Sequence, residues 1–251
     1  MTDLVRQGGD VLGSFIDAVS WDDAVERIMQ WARSAKSAYV SICNVHVVVT
    51  ASRDATFNRV INASNMALPD GMPVVWMLQQ QGFTGQQRIN GPDLMLALCQ
   101  CCAEEGMPVY LYGSQEDTLD ALAANLYEAN PRLQISGMES PPFRQLTQQE
   151  ERNAVERINA SGARIIFVAL GCPKQELWMA TRRGEIAGVM IGVGAAFDFH
   201  AGKLKRAPQW MQNHGLEWLY RLSSEPRRLW KRYLVTNTLF IWGVIRQQVL
   251  R

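Results

Sequence analysis

This chain predicts an α/β fold of the Rossmann-like kind, with a largely parallel sheet flanked by helices and a helical appendage at the C-terminus. Two observations carry that expectation. Short β-rich runs alternate with helical patterns up to Val193, the signature of crossover connections between parallel strands. From Pro208 onward the pattern is helical and no strand candidate remains. The boundary falls near residue 203 and divides an α/β body over 1–202 from an appendage over 203–251.

In chain order, the first helix opens at Ser20, with Asp23 placed as in a capping box and Val25, Ile28 and Met29 supplying its apolar face. Strand candidates are Tyr39 to Ile42, Met66 to Leu68, Val109 to Tyr112, Leu133 to Ser136, Ile165 to Leu170 and Val189 to Val193. Pro92 marks a helix start before the amphipathic stretch Asp93 to Glu105. Glu116 to Ala129 and Gln148 to Ala160 are further helices, the second ended by Ser161 and Gly162.

With 47% hydrophobic and 20% charged residues in 251, the chain is neither a disordered tail protein nor a collagen-like fibre. Its net charge of +1 conceals a division. From Lys203 onward there are ten Lys or Arg against Glu217 and Glu225, a net +8, which leaves −7 on the body. Trp210, Trp218, Trp230 and Trp242 sit in the same tail. Basic plus aromatic composition suits contact with anionic lipid or another polyanion, and it equally suits a solvated helical face over core tryptophans. The longest apolar run, Leu239 to Ile245, is far short of the ~20 residues of a spanning helix. The opening residues are polar, so no signal peptide is expected. The cysteines number five, and Cys99, Cys101 and Cys102 crowd one helical stretch, which points to a reducing compartment rather than a disulfide framework.

Ligands of an open parallel sheet bind beyond the carboxyl ends of its strands, so the residues after each strand are the candidates. These are Asn44 and His46; Asp70 and Gly71; Gly113 and Ser114; Gly171 to Glu176; and Gly194 and Asp198. They are expected to converge on one rim. Gly192-x-Gly194-x-x-Phe197 looks like a dinucleotide fingerprint without its last glycine, and Gly113-Ser114 like a short phosphate cradle. Several glycine turns favour a phosphorylated ligand, with a nucleotide the expected class. Asp70 is the most informative carboxylate: at a strand end before Gly71, it is placed either for general-base work or to cap the next helix. Glu176, in a first helical turn, suits the helix dipole. His46, His200 and His214 have no metal-ligand spacing, and no Asp-x-Asp pair or G-x-S-x-G motif is present. No metal and no cofactor is expected. Neutralising a diphosphate then falls to helix dipoles and to Lys or Arg, most abundant in the tail.

These segments join a larger pattern. Pro69-Asp70-Gly71, Arg88-Ile89-Asn90-Gly91-Pro92-Asp93-Leu94, Gly171-Cys172-Pro173-Lys174-Gln175-Glu176, Gly192-Val193-Gly194, Lys205-Arg206-Ala207-Pro208 and Gly215-Leu216-Glu217-Trp218-Leu219-Tyr220-Arg221-Leu222 follow one another in order. The chain resembles the WecG/TagA/CpsF glycosyltransferases, glycosyltransferase family 26, from about Phe15 to Arg232. The resemblance implies inverting transfer of a sugar, commonly N-acetylmannosamine, its uronic acid or a related hexose, from a UDP-sugar to a polyprenyl-diphosphate-linked saccharide of a cell-surface polysaccharide. It maps a catalytic base onto Asp70, pocket residues onto Asn44 and Gln175, and charge-bearing arginines of a site-closing, membrane-docking appendage onto Arg221 and Arg228. Gly71, Arg88, Asn90, Gly91, Asp93, Gly113, Gly171, Lys174, Glu176, Gly192, Gly194, Lys205 and Arg206 complete the expected substrate contacts. Some members place a Thr two residues before the Asn; Ile42 stands there, beside Ser41.

The implied location is the cytoplasmic face of a bacterial plasma membrane, held peripherally through the tail, with no nucleic-acid partner and with cores that can associate as homo-oligomers. Two other readings stay open on sequence: a nucleotide-binding regulatory module, and a nicotinamide-dependent dehydrogenase using Gly192 and Gly194.

Overall fold

The computed structural model describes residues 6–249. The polar start expected to lack a signal peptide falls largely outside them, as does the end of the basic tail at 250–251. The chain opens with β1 (Gly8–Val11), β2 (Ser14–Asp17), α1 (Trp21–Arg33) and β3 (Ala38–Cys43). Next come α2 (Val45–Arg53), α3 (Ala55–Asn62), β4 (Met66–Pro69), α4 (Met72–Gln80) and α5 (Gly91–Glu105). The alternation continues through β5 (Val109–Gly113), α6 (Glu116–Ala129), β6 (Ile135–Glu139), α7 (Gln148–Ala160), β7 (Ile165–Ala169), α8 (Lys174–Arg182), β8 (Val189–Gly192) and α9 (Ala196–His200). The C-terminal part is helical: α10 (Gln209–Asn213), α11 (Glu217–Ser224) and α12 (Pro226–Val249).

Six strands form a parallel sheet in the order β4-β3-β8-β7-β5-β6. They are the six read from the sequence, with the β6 run starting two residues later than expected, at Ile135. Every residue of β3, β4, β5 and β8 is buried, because helices cover both faces of a parallel sheet. That is why these strands read as continuous apolar runs. Edge strand β6 is only half-buried or exposed, and it mixes Ser136 and Gly137 into its run.

The described residues fall into two compact units. The first comprises 6–20, 42–90 and 205–249. In it, β1 and β2 pair as an antiparallel hairpin with Val11 opposite Ser14. Leu12 (φ 53°) and Gly13 (φ 86°) both take the left-handed conformation that two-residue hairpin loops require. Buried Asp17 ties this hairpin down: Arg6 grips it through Nε (2.9 Å) and Nη2 (2.6 Å), and the Ala67 amide donates to it at 2.6 Å. Asn44 caps α2 by accepting from the Val47 amide at 3.2 Å, and Asp54 caps α3 from two amides. Helix α12 buries Leu229, Thr236 and Phe240 on one seam, while Trp230, Leu234, Val235, Ile241, Trp242, Ile245 and Val249 stay exposed.

The second unit comprises Trp21–Ser41 and Gly91–Leu204. Its core is β5, β7 and β8 with the faces of α1, α5, α6 and α8. Cys99 and Cys102 are buried on α5, and burial pushes the Cys102 thiol up to about 12, so both act as small apolar side chains.

Candidate functional site

In the first unit, the site is built around the turn that follows β4. Asp70 is held at the strand end by its own amide, which donates to the Cys43 carbonyl at 2.9 Å. Gly71, at φ 95°, then redirects the chain into α4, whose N-cap makes no side-chain hydrogen bond. The Asp70 carboxylate instead accepts from Arg88 Nε at 2.9 Å. Capping, the other role open to it on sequence, is therefore not the contact it makes.

Arg88 is positioned by backbone pins on both sides. The Ile89 amide donates to the Pro69 carbonyl at 2.9 Å, while the buried Gln86 side chain accepts from the Val19 amide and donates to the Val19 carbonyl. The guanidinium carries a second carboxylate: its Nη2 donates to Glu217 on α11 at 2.7 Å. The three side chains keep only 16% (Arg88), 17% (Asp70) and 15% (Glu217) of their surface exposed, so their interaction is weakly screened. Burial works against the charge on Arg88, but the two carboxylates more than offset it and hold its pKa above the ordinary range. Among the described residues, no second hydrogen bond reaches the Asp70 carboxylate. One oxygen is fixed and the other is available to a ligand.

Other residues expected to bind or react sit in the same unit. Asn44 uses its side-chain oxygen as a helix cap, which leaves its amide NH₂. Asn90 is buried, and Arg221 is half-buried on α11. Arg206 donates to Gln212, which in turn donates to the Ala207 carbonyl, fixing the entry to α10. Lys205 is exposed, and Arg228 is exposed and paired with Glu225 at 2.6 Å. His46 lies in the first turn of α2, and burial together with the positive charge of Arg232 lowers its pKa, so it stays neutral.

In the second unit, the segment after β7 folds around Gln175. The Gly171 amide donates to Gln175 Oε1 at 3.2 Å, and Gln175 Nε2 donates to Glu176 at 2.9 Å. Gly192 makes room for this clasp: a Cβ there would lie 2.9 Å from both Gln175 Nε2 and Met179 Cε. That requirement differs from the dinucleotide-loop role its spacing suggests. Glu176 is fully buried, and burial pushes its carboxyl up to about 7 despite the hydrogen bond from Gln175. Its Oε2, the Trp178 indole nitrogen and the Tyr112 hydroxyl have no partner among the described residues. The Tyr112 and Trp178 rings stack at 4.4 Å. Gly113 closes β5 against β7, where the Ser114 amide donates to the Ala169 carbonyl at 3.1 Å. Gly171 and Lys174 are exposed, Gly194 and Asp93 half-buried, and Gly91 buried at the start of α5.

Glu217 escaped the sequence reading as a site residue although it stands inside a quoted motif. Its partner lies 129 residues earlier, and nothing local pairs them. Among the described residues there is no group of three or more His, Cys, Asp or Glu that could hold a metal ion.

In a parallel α/β sheet ligands are met beyond the carboxyl ends of the strands, and here the end of β4 presents the carboxylate braced by Arg88, the placement of an enzyme site. The family model of WecG/TagA/CpsF glycosyl transferases matches residues 9–251, and the chain belongs to that family. It is therefore a glycosyltransferase of cell-surface polysaccharide biosynthesis, which sets aside the regulatory-module and dehydrogenase readings. The match also carries the resemblance beyond Arg232, through the whole of α12.

Proposed function

We propose that this enzyme inverts the anomeric centre of a UDP-sugar by a single displacement, transferring the sugar to a saccharide on a polyprenyl diphosphate. Asp70 is the general base: its open oxygen takes the proton of the acceptor hydroxyl as that hydroxyl attacks and UDP departs from the opposite face. The supporting observation is a carboxylate with one oxygen fixed by Arg88 and the other unengaged. Such a base contributes roughly 10²- to 10⁴-fold, and orientation and charge stabilisation supply the rest. Arg221, with Lys205 or Arg206, balances the charge of the departing diphosphate. Arg228 contributes in the same way once released from Glu225.

The segments around Gly171, Lys174, Gln175, Gly192 and Gly194 serve donor binding in this reading, with Gly113 beside them. Asn44, Gly71 and Asn90 shape the acceptor and sugar contacts offered by the first unit, and Gly91 and Asp93 belong to the first turn of α5 in the second. No cofactor is required by the residues assigned here. The C-terminal helices rest on the cytoplasmic face of the plasma membrane. No helix among the described residues is long and apolar enough to cross a membrane, yet α12 exposes Trp230, Trp242, Ile241 and Ile245 beside Arg227, Lys231 and Arg246. Incubation with a panel of UDP-sugars and a short-chain lipid diphosphate acceptor, followed by mass and anomeric analysis of the product, tests the reading. One inverted glycoside and free UDP are expected; a retained anomer, or transfer from no UDP-sugar, contradicts it.

A further inference from the structure

Two arginine–aspartate pairs in the first unit differ in a way that their chemistry alone does not explain. Arg6 closes on Asp17 as a fork, with Nε on one oxygen at 2.9 Å and Nη2 on the other at 2.6 Å. Arg88 meets Asp70 with Nε alone, also at 2.9 Å. The forked geometry is the stronger arrangement for these groups, and Arg88 Nη2 lies on the same edge of the guanidinium as Nε. What differs is Glu217, which accepts from that Nη2 at 2.7 Å. Nη2 carries two N–H groups, and its hydrogen-bond partner is Glu217 and not Asp70, which takes Nε alone.

We propose that Glu217 is a positioning residue for the base: by engaging Arg88 Nη2, it keeps Arg88 from clamping both oxygens of Asp70 and leaves one of them free to accept the proton of the attacking hydroxyl. The inference rests on the reading of Asp70 as general base and deepens it. It also ties the readiness of the base to the C-terminal part of the chain, because Glu217 opens α11. The backbone supports that placement. Gly215, at φ 71°, passes so close to the start of α4 that a Cβ on it would lie 2.9 Å from Met72 Cβ. The turn ahead of α11 is thus seated against Met72, two residues after Asp70, and a larger residue at position 215 would have to push it away.

Glu217 acts through Arg88, so its removal should lower turnover without weakening donor binding. In the full-length enzyme, Glu217→Leu is expected to reduce kcat roughly ten- to a hundredfold while the KM for the UDP-sugar stays within about twofold. Glu217→Gln keeps an acceptor for Nη2 and should lose less. The sharpest arm is a suppressor. Lysine presents a point charge and cannot form the fork, so adding Arg88→Lys to Glu217→Leu should raise kcat above that of Glu217→Leu alone. Thermal melts of each variant report folding independently.

A Glu217→Leu enzyme with wild-type kcat, or a double variant slower than Glu217→Leu, overturns the proposal, since a role confined to packing α11 predicts further loss from the second change. Asp70→Asn, assayed in parallel, separates this failure from failure of the underlying reading. If Asp70→Asn still transfers sugar at the wild-type rate, the base assignment itself is wrong.

Discussion

Glu176 shows how a single buried group makes stability depend on pH. Its native carboxyl titrates near 7, against an ordinary value of 4.5, because burial disfavours the charge. Below pH ~4.5 both states hold the proton. As pH rises toward 7 the unfolded chain ionises first and the native state does not, so stability falls across that window and levels off above it. The cost is about 3 kcal/mol once the group is forced to ionise. Glu176→Gln keeps an acceptor for Gln175 and removes the charge. The variant should therefore gain in melting temperature over the wild type as pH is raised from about 5 to about 8. A difference that does not change with pH would show that the carboxyl ionises freely in the fold. Arg88 is a second test at this scale. Arg88→Met strips two partly buried carboxylates of their partner, and a stability loss of roughly 3 to 5 kcal/mol is expected by denaturant titration.

At the scale of elements, the sheet was legible because burial on both faces leaves no room for alternation. Tyr39 to Ile42, Ile165 to Leu170 and Val189 to Val193 have few competing readings when turn residues bound them. The β1–β2 hairpin was not legible. Gly8 and Gly9 are weak strand formers, and its loop places Leu12 in a conformation that Asn or Gly normally supplies. Asp70 could be singled out by its place at a strand end. Its contact with Arg88, and that of Arg88 with Glu217, like the seating of Gln175 against Gly192, depend on tertiary approach that no local pattern encodes.

The same limit applies to α12, whose seam of Leu229, Thr236 and Phe240 is narrow and whose apolar remainder faces outward. Double substitution of Trp242 and Ile245 by glutamate changes only exposed positions. It should abolish flotation of the full chain with anionic vesicles and leave the melting temperature nearly unchanged. Unaltered flotation would remove α12 from the membrane contact.

Over the whole molecule, the charge division and the unit boundaries bear on the same experiment. The tail carries +8, and each Lys or Arg near an anionic leaflet contributes about 1 kcal/mol, so vesicle binding should weaken steeply as salt shortens the reach of these charges. Deleting the tail from Lys203 is a poorer probe, because residues 205–249 belong to the first compact unit and contribute buried Leu229 and Phe240 to it. Such a truncation should lower the melting temperature as well as membrane binding, and a truncated chain as stable as the full one would contradict the assignment of the C-terminal helices to that unit.

The central claim is that the Asp70 carboxylate removes the acceptor proton, and the transfer rate of Asp70→Asn tests it most directly. Measured with a UDP-sugar that the wild type turns over and a short-chain lipid diphosphate acceptor, the variant should be slower by at least about a hundredfold while the donor still raises its melting temperature. Transfer within a few-fold of the wild type would contradict the account.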